Sequence, residues 1–116
     1  MKAMKELIQS YDRVWFYLKD REAKVQFVQE ATTMGCRYLN GEQLTVNNCC
    51  HIMALHADYK VAQVQIYIWN ASFEGTVIKP GPLKVDYSKY IAGDTDWECT
   101  KSSFCTIQLP MSMSEI

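Results

Sequence analysis

The chain has 116 residues, 48% of them hydrophobic, and its 12 Lys and Arg against 13 Asp and Glu leave a formal net charge of −1. That length and apolar content support one folded core without a metal or disulfide staple and exclude a disordered chain. The charge balance, with no run of Lys or Arg, disfavours a protein held to nucleic acid through phosphates, although folding could still gather a local basic patch.

Residues 1–11 place Met4, Leu7, Ile8 and Tyr11 at i, i+3, i+4 and i+7, one face of a short helix. This opening has no continuous apolar core and no small-residue cleavage site, so it does not read as a signal peptide. No apolar stretch approaches the roughly 20 residues of a membrane span. A cytoplasmic protein is the expectation.

Arg13 to Leu18 reads as a strand that is apolar on both faces: Val14, Phe16 and Leu18 on one, Trp15 and Tyr17 on the other. That pattern suits a central strand. Asp20 is placed to cap a helix, Glu22 adds negative charge to its first turn, and Ala23, Phe27, Ala31 and Met34 form its buried stripe. Gly35 suits the left-handed position that ends such a helix. Cys36 to Leu39 leads to a tight turn at Asn40-Gly41, and residues 42–49 read as a loop.

Cys50 to Ala57 looks like a strand that reverses at Asp58-Tyr59-Lys60 into the longest strand candidate, Val61 to Phe73. In that strand Val64, Ile66 and Ile68 share one face, and Gln63, Gln65, Tyr67 and Trp69 the other. Lys79-Pro80-Gly81-Pro82 forces a turn. Leu83 to Val85 is a short strand, and Asp86 caps a helical turn with Tyr87, Tyr90 and Ile91, closed by Gly93. Residues 94–109 suit a hairpin, and the tail from Pro110 reads as frayed. The expected architecture is a single α+β domain over 1–116: a mostly antiparallel sheet of four to six strands, with one main helix on one face.

Taken together, several segments resemble a family of small proteins carried by phages and mobile elements of Gram-positive gut bacteria. They are Tyr17-Leu18, Phe27 and Ala31, Met34-Gly35-Cys36-Arg37-Tyr38, Asn40-Gly41, Ile52-Met53-Ala54-Leu55-His56, Ala71-Ser72-Phe73, and Val85-Asp86-Tyr87-Ser88-Lys89-Tyr90-Ile91-Ala92-Gly93. The likeness covers about residues 13–97. Met34 and Cys36 stand where that family usually has Glu and Phe. The family carries over no activity to this chain, but its genomic company implies anti-defence work, such as anti-CRISPR inhibition of a host protein.

The residues agree that reactive equipment is sparse. Cys49, Cys50, His51 and His56 form the one cluster with metal or nucleophile potential, but the zinc spacings Cys-x₂-Cys and His-x₃-His are absent. On a regular strand Cys50 and His56 would sit about 20 Å apart. The five cysteines, Cys36, Cys49, Cys50, Cys99 and Cys105, are an odd number that fits a disulfide framework poorly. No phosphate-binding glycine loop occurs. No catalytic residue, cofactor or metal is therefore assigned.

Asp94 and Asp96, with Glu98 and Asp86, form an acidic region that could mimic phosphates or, in a nuclease, hold a metal; a solvated turn is the plainer reading. Trp15, Tyr17, Tyr67 and Trp69 could lie on one sheet face beside Gln63 and Gln65. That face is either buried by a terminal segment or an exposed protein-binding surface. The expected function is a small protein-binding accessory or inhibitory factor directed at a host protein, through Trp15, Tyr17, Gln65, Tyr67, Trp69, Asp94 and Asp96. A small hydrolase or nuclease, and a structural homodimer sealed at Trp69, are the alternatives.

Overall fold

The structure is a computed structural model that describes residues 4–72 and 82–99. In chain order its elements are α1 (Met4–Ser10), β1 (Arg13–Tyr17), α2 (Arg21–Thr33), β2 (Arg37–Tyr38), β3 (Ile52–His56), β4 (Lys60–Gln63), α3 (Ile66–Ser72), β5 (Leu83–Asp86) and α4 (Tyr87–Ala92). The expected hairpin over 94–109 is described only as far as residue 99. The tail from Pro110 lies outside the described residues.

Local chemistry sets the ends of the helices. Asp20 Oδ1 accepts the Ala23 backbone N–H at 2.9 Å, opening α2. At its other end Gly35 takes φ +88°, and the Gly35 and Cys36 N–H groups return to the Thr32 and Ala31 carbonyls. That double return satisfies carbonyls the helix would otherwise leave bare. The same device closes α4, where Gly93 and Asp94 donate to Tyr90 and Lys89. Asp86 caps its start by accepting from the Lys89 N–H at 3.4 Å.

The five strands form one sheet in the order β2-β4-β3-β1-β5. β3 pairs antiparallel with both β1 and β4, whereas β1–β5 and β2–β4 are parallel. The sheet is therefore mixed rather than mostly antiparallel. On one side the cause is the route through α2: β1 returns as parallel β2 three places away, and the two strands of the β3–β4 hairpin fill the gap.

The second correction concerns residues 61–73. The strand stops at Gln63, and Ile66–Ser72 is helical, with Gln65 O accepting from both Ile68 and Trp69 N–H groups. Phe73 lies outside the described residues.

Two apolar layers result. Val14 and Phe16 of β1, Met53 and Leu55 of β3, Val61 and Val85 face α1, α2 and α4 in the larger core. Phe16, Phe27 and Tyr87 meet there at ring-centroid distances of 5.4–5.8 Å. Glu30 of α2 ties three elements together at its rim: Oε2 accepts the Met4 backbone N–H and Oε1 the Tyr87 hydroxyl, both at 2.8 Å. Burial, then the Glu30 carboxylate beside it, pushes the Tyr87 hydroxyl well above its ordinary pKa. Trp15, Ile52, Ala54, Val64 and Trp69 form the second layer, on the opposite face under α3.

Both outer edges of the sheet are covered. Along β2, Arg37 bridges to Gln43 and the Tyr38 N–H donates to Glu42 O at 3.1 Å. Along β5, Val85 bridges to Glu98, while Asp86 and Cys99 exchange bonds with Trp97 and Lys84 at 2.9 and 2.8 Å. No helix among the described residues is long and apolar enough to cross a membrane.

Candidate functional site

The structure divides the residues singled out from the sequence into three groups. Trp15, Tyr17 and Trp69 meet under α3. Trp15 and Trp69 stack with centroids 6.5 Å apart, and Tyr17 leans on Trp69 at 6.4 Å. Trp69 has no exposed surface and Trp15 is 5% exposed, so this part of the aromatic face is core. Among the described residues α3, carrying Trp69, covers this face, and Cys99 of the C-terminal segment packs in the same cluster. Trp69 itself therefore presents no surface to a second copy of the chain.

Gln65 and Tyr67 form the second group. Helical geometry turns Tyr67 away from Trp69, leaving it 67% exposed. Both residues line an open cleft of about 400 Å³ between α3 and the sheet, together with Arg13, His56, Gln63 and Val64. Two further clefts adjoin it through shared residues. One, of about 490 Å³, shares Gln63 and Ala62 and runs to Leu39, which is 74% exposed. The other, of about 300 Å³, shares Gln63, Val64 and Gln65 and is walled by Cys50 and His51. The Gln63 side-chain amide donates to Asn48 O at 2.7 Å, fixing the ridge between them.

Asp94 and Asp96 form the third group and lie apart, beyond α4 on the β5 side of the sheet. Asp96 accepts from Lys89 Nζ at 2.9 Å. That hydrogen bond and the ammonium charge hold the Asp96 carboxyl below its ordinary range and raise Lys89. The pair is exposed and screened by solvent, so its contribution is small.

Cys36, Cys49, Cys50, Cys99 and His51 are held by burial or by hydrogen bonds to the backbone, and Cys105 lies outside the described residues. Burial pushes the Cys36 thiol up to about 11 and the Cys49 and Cys99 thiols up to about 12. At neutral pH such thiols carry almost no thiolate, the form a nucleophile needs. Cys50 Sγ donates to Ile52 O at 3.1 Å. His51 Nδ1 lies 3.0 Å from Leu18 O, an arrangement that requires the proton on Nδ1. Among the described residues no group of three or more His, Cys, Asp or Glu side chains could hold a metal ion.

The cleft residues that sequence reasoning missed are Arg13 and His56. Their pairing across β1 and β3 is set by a contact between distant segments. The helical turn at Tyr67 had a readable signal: Ile66, Trp69 and Asn70 fall at i, i+3 and i+4, and Asn70-Ala71-Ser72 is poor strand material. No family model, curated protein or solved structure matches this chain.

Proposed function

We propose that this chain is a small protein-binding factor that acts by occupying a surface of another protein. Its kind is the accessory or inhibitory protein that phages and mobile elements direct at host defence, anti-CRISPR factors among them. The observation that carries the reading is Tyr67, an aromatic side chain 67% exposed at the mouth of a cleft with Arg13, Gln65 and His56. Tyr and Arg are the residue types that dominate binding energy at protein interfaces, and amide side chains suit the polar rim. The raised thiols support the same reading, because they are poorly suited to covalent chemistry. The mechanism is steric occlusion.

The covered sheet edges bear on how a partner would be held. A partner strand could not extend the sheet without first displacing residues 42–43 or 97–99. Recognition therefore runs through side chains. The test is paired affinity capture from a Gram-positive host lysate, with wild type and Tyr67→Ala as baits. A host protein retained by wild type and lost with Tyr67→Ala supports the reading. Capture of nothing, or capture indifferent to the substitution, overturns it.

A further inference from the structure

Four basic side chains that are scattered in the sequence stand in one row across four neighbouring strands. Arg13 of β1 is in register with His56 of β3, and Arg37 of β2 with Lys60 of β4. His56 and Lys60 face each other one step beyond the Leu55–Val61 pair, where His56 O accepts the Tyr59 N–H and closes the hairpin. Because β2, β4, β3 and β1 are adjacent in that order, the row reads Arg37, Lys60, His56, Arg13.

All four leave the sheet on the α3 side. Their chain neighbours Val14, Cys36, Tyr38, Leu55 and Val61 belong to the opposite core, and side chains alternate along a strand. At about 4.8 Å between strands, the row is about 14 Å long. Arg37 is exposed and the other three are half-buried, so solvent reaches each of them. No carboxylate stands in the row. Asp12 and Asp58 sit on the connecting segments at that end of the sheet, and Asp58 Oδ1 takes the Lys60 backbone N–H at 3.1 Å. Arg37 and Lys60, directly paired across β2 and β4, are like charges side by side, an arrangement that an anionic partner favours. The row ends at the cleft that holds Tyr67, which Arg13 and His56 also line.

Resting on the protein-binding reading above, we infer that this row takes an acidic α-helical segment of the partner, lying across the strands with Tyr67 at its flank. The spacing supports this occupant. Side chains three and four apart on a helix stand about 5–6 Å from one another, close to the interval between strands. One stripe of carboxylates thus meets the basic side chains one for one. Nucleic acid is the weaker fit: so few phosphate contacts, on a chain of net charge −1, give little affinity at ordinary salt.

The probe is a fluorescein-labelled, alanine-based helical peptide of about 16 residues with glutamates at i, i+4, i+7 and i+11, read by anisotropy at low salt. Wild type should bind it about tenfold more tightly than an isomer whose glutamates are spread round the helix. Arg37→Gln combined with Lys60→Gln should weaken binding about tenfold. Backbone amide shifts on titrating the unmodified protein should cluster at Arg13, Arg37, His56 and Lys60, a readout independent of any variant's folding. Equal binding of the two isomers, stronger binding of an oligothymidine of similar length, or an unaffected double variant would each overturn the inference. A captured host protein that is lost with Tyr67→Ala but kept by the double variant overturns the row alone and leaves the protein-binding reading intact.

Discussion

Trp69→Ala removes an indole that has no exposed surface and that stacks on Trp15 at 6.5 Å and leans on Tyr17 at 6.4 Å. Truncating a buried aromatic to Ala costs about 3–5 kcal/mol, and the aromatic contacts place this site toward the upper half of that range. A chain of this length has a total stability of about 6–17 kcal/mol, so the loss is a large share of it. With a urea slope of about 1.5 kcal/mol/M, the unfolding midpoint should fall by about 3 M. Tyr67→Ala, only two positions away, should move the midpoint by less than about 0.5 M, because an exposed side chain away from any cap or network changes stability little. Far-ultraviolet circular dichroism is the right probe, since it does not depend on the indole being removed. The contrast is diagnostic of α3: on a strand, positions 67 and 69 would share a face and respond alike. Matching shifts for the two variants would refute the helix and the burial of Trp69 together.

Three other outcomes follow from the geometry. Glu30→Ala strands the Met4 N–H and the Tyr87 hydroxyl, and should cost about 2–4 kcal/mol in chemical denaturation; Tyr87→Phe should cost about 1, and a double-mutant cycle that finds no coupling would disprove the shared bond. Burial raises the folded-state pKa of Asp86 above its ordinary value of 3.8, against weaker lowering by the Lys89 N–H and charge. Its linked stability is therefore fully present below that ordinary value and is lost as pH rises through the raised one. Relative to Asp86→Asn, which keeps a good cap, wild type should gain stability between about pH 7 and about pH 3; a gap that widens the other way contradicts the sign. Iodoacetamide should label Cys36, Cys49 and Cys99 in the native chain on the order of a hundredfold more slowly than in urea, read by mass spectrometry. Fast labelling of Cys99 would expose an activated thiol and favour the hydrolase alternative.

What could be read from the residues was what is decided within a few positions of the chain. Asp20, Gly35, Asp86 and Gly93 announce helix ends because a carboxylate that accepts an N–H, or a glycine at positive φ, acts on its own neighbours. The β3–β4 hairpin belongs to the same class, being closed by a short local turn. The segment after Gln63 was ambiguous because Val64, Ile66 and Ile68 satisfy a period of two while Ile66 and Trp69 satisfy a helical one. Packing against Trp15 decides between them, and that contact joins residues more than fifty positions apart. The parallel pairings of β2 with β4 and β1 with β5 were hidden for the same reason. So was the cleft, whose Arg13 and His56 become neighbours only through β1–β3 register. Tyr67 is legible as a candidate by its chemistry alone; its exposure follows from the helical turn that the residues leave open.

The flaps at residues 42–43 and 97–99 also shape how this protein would fail. A sheet whose rims are capped by its own chain gives passing copies no row of bare amides to template on, so fibre-like stacking has to wait until a rim opens. The vulnerable moment is partial unfolding near the two-residue β2 or the short run at Trp97, and damage there should appear as loss of solubility before loss of helix content.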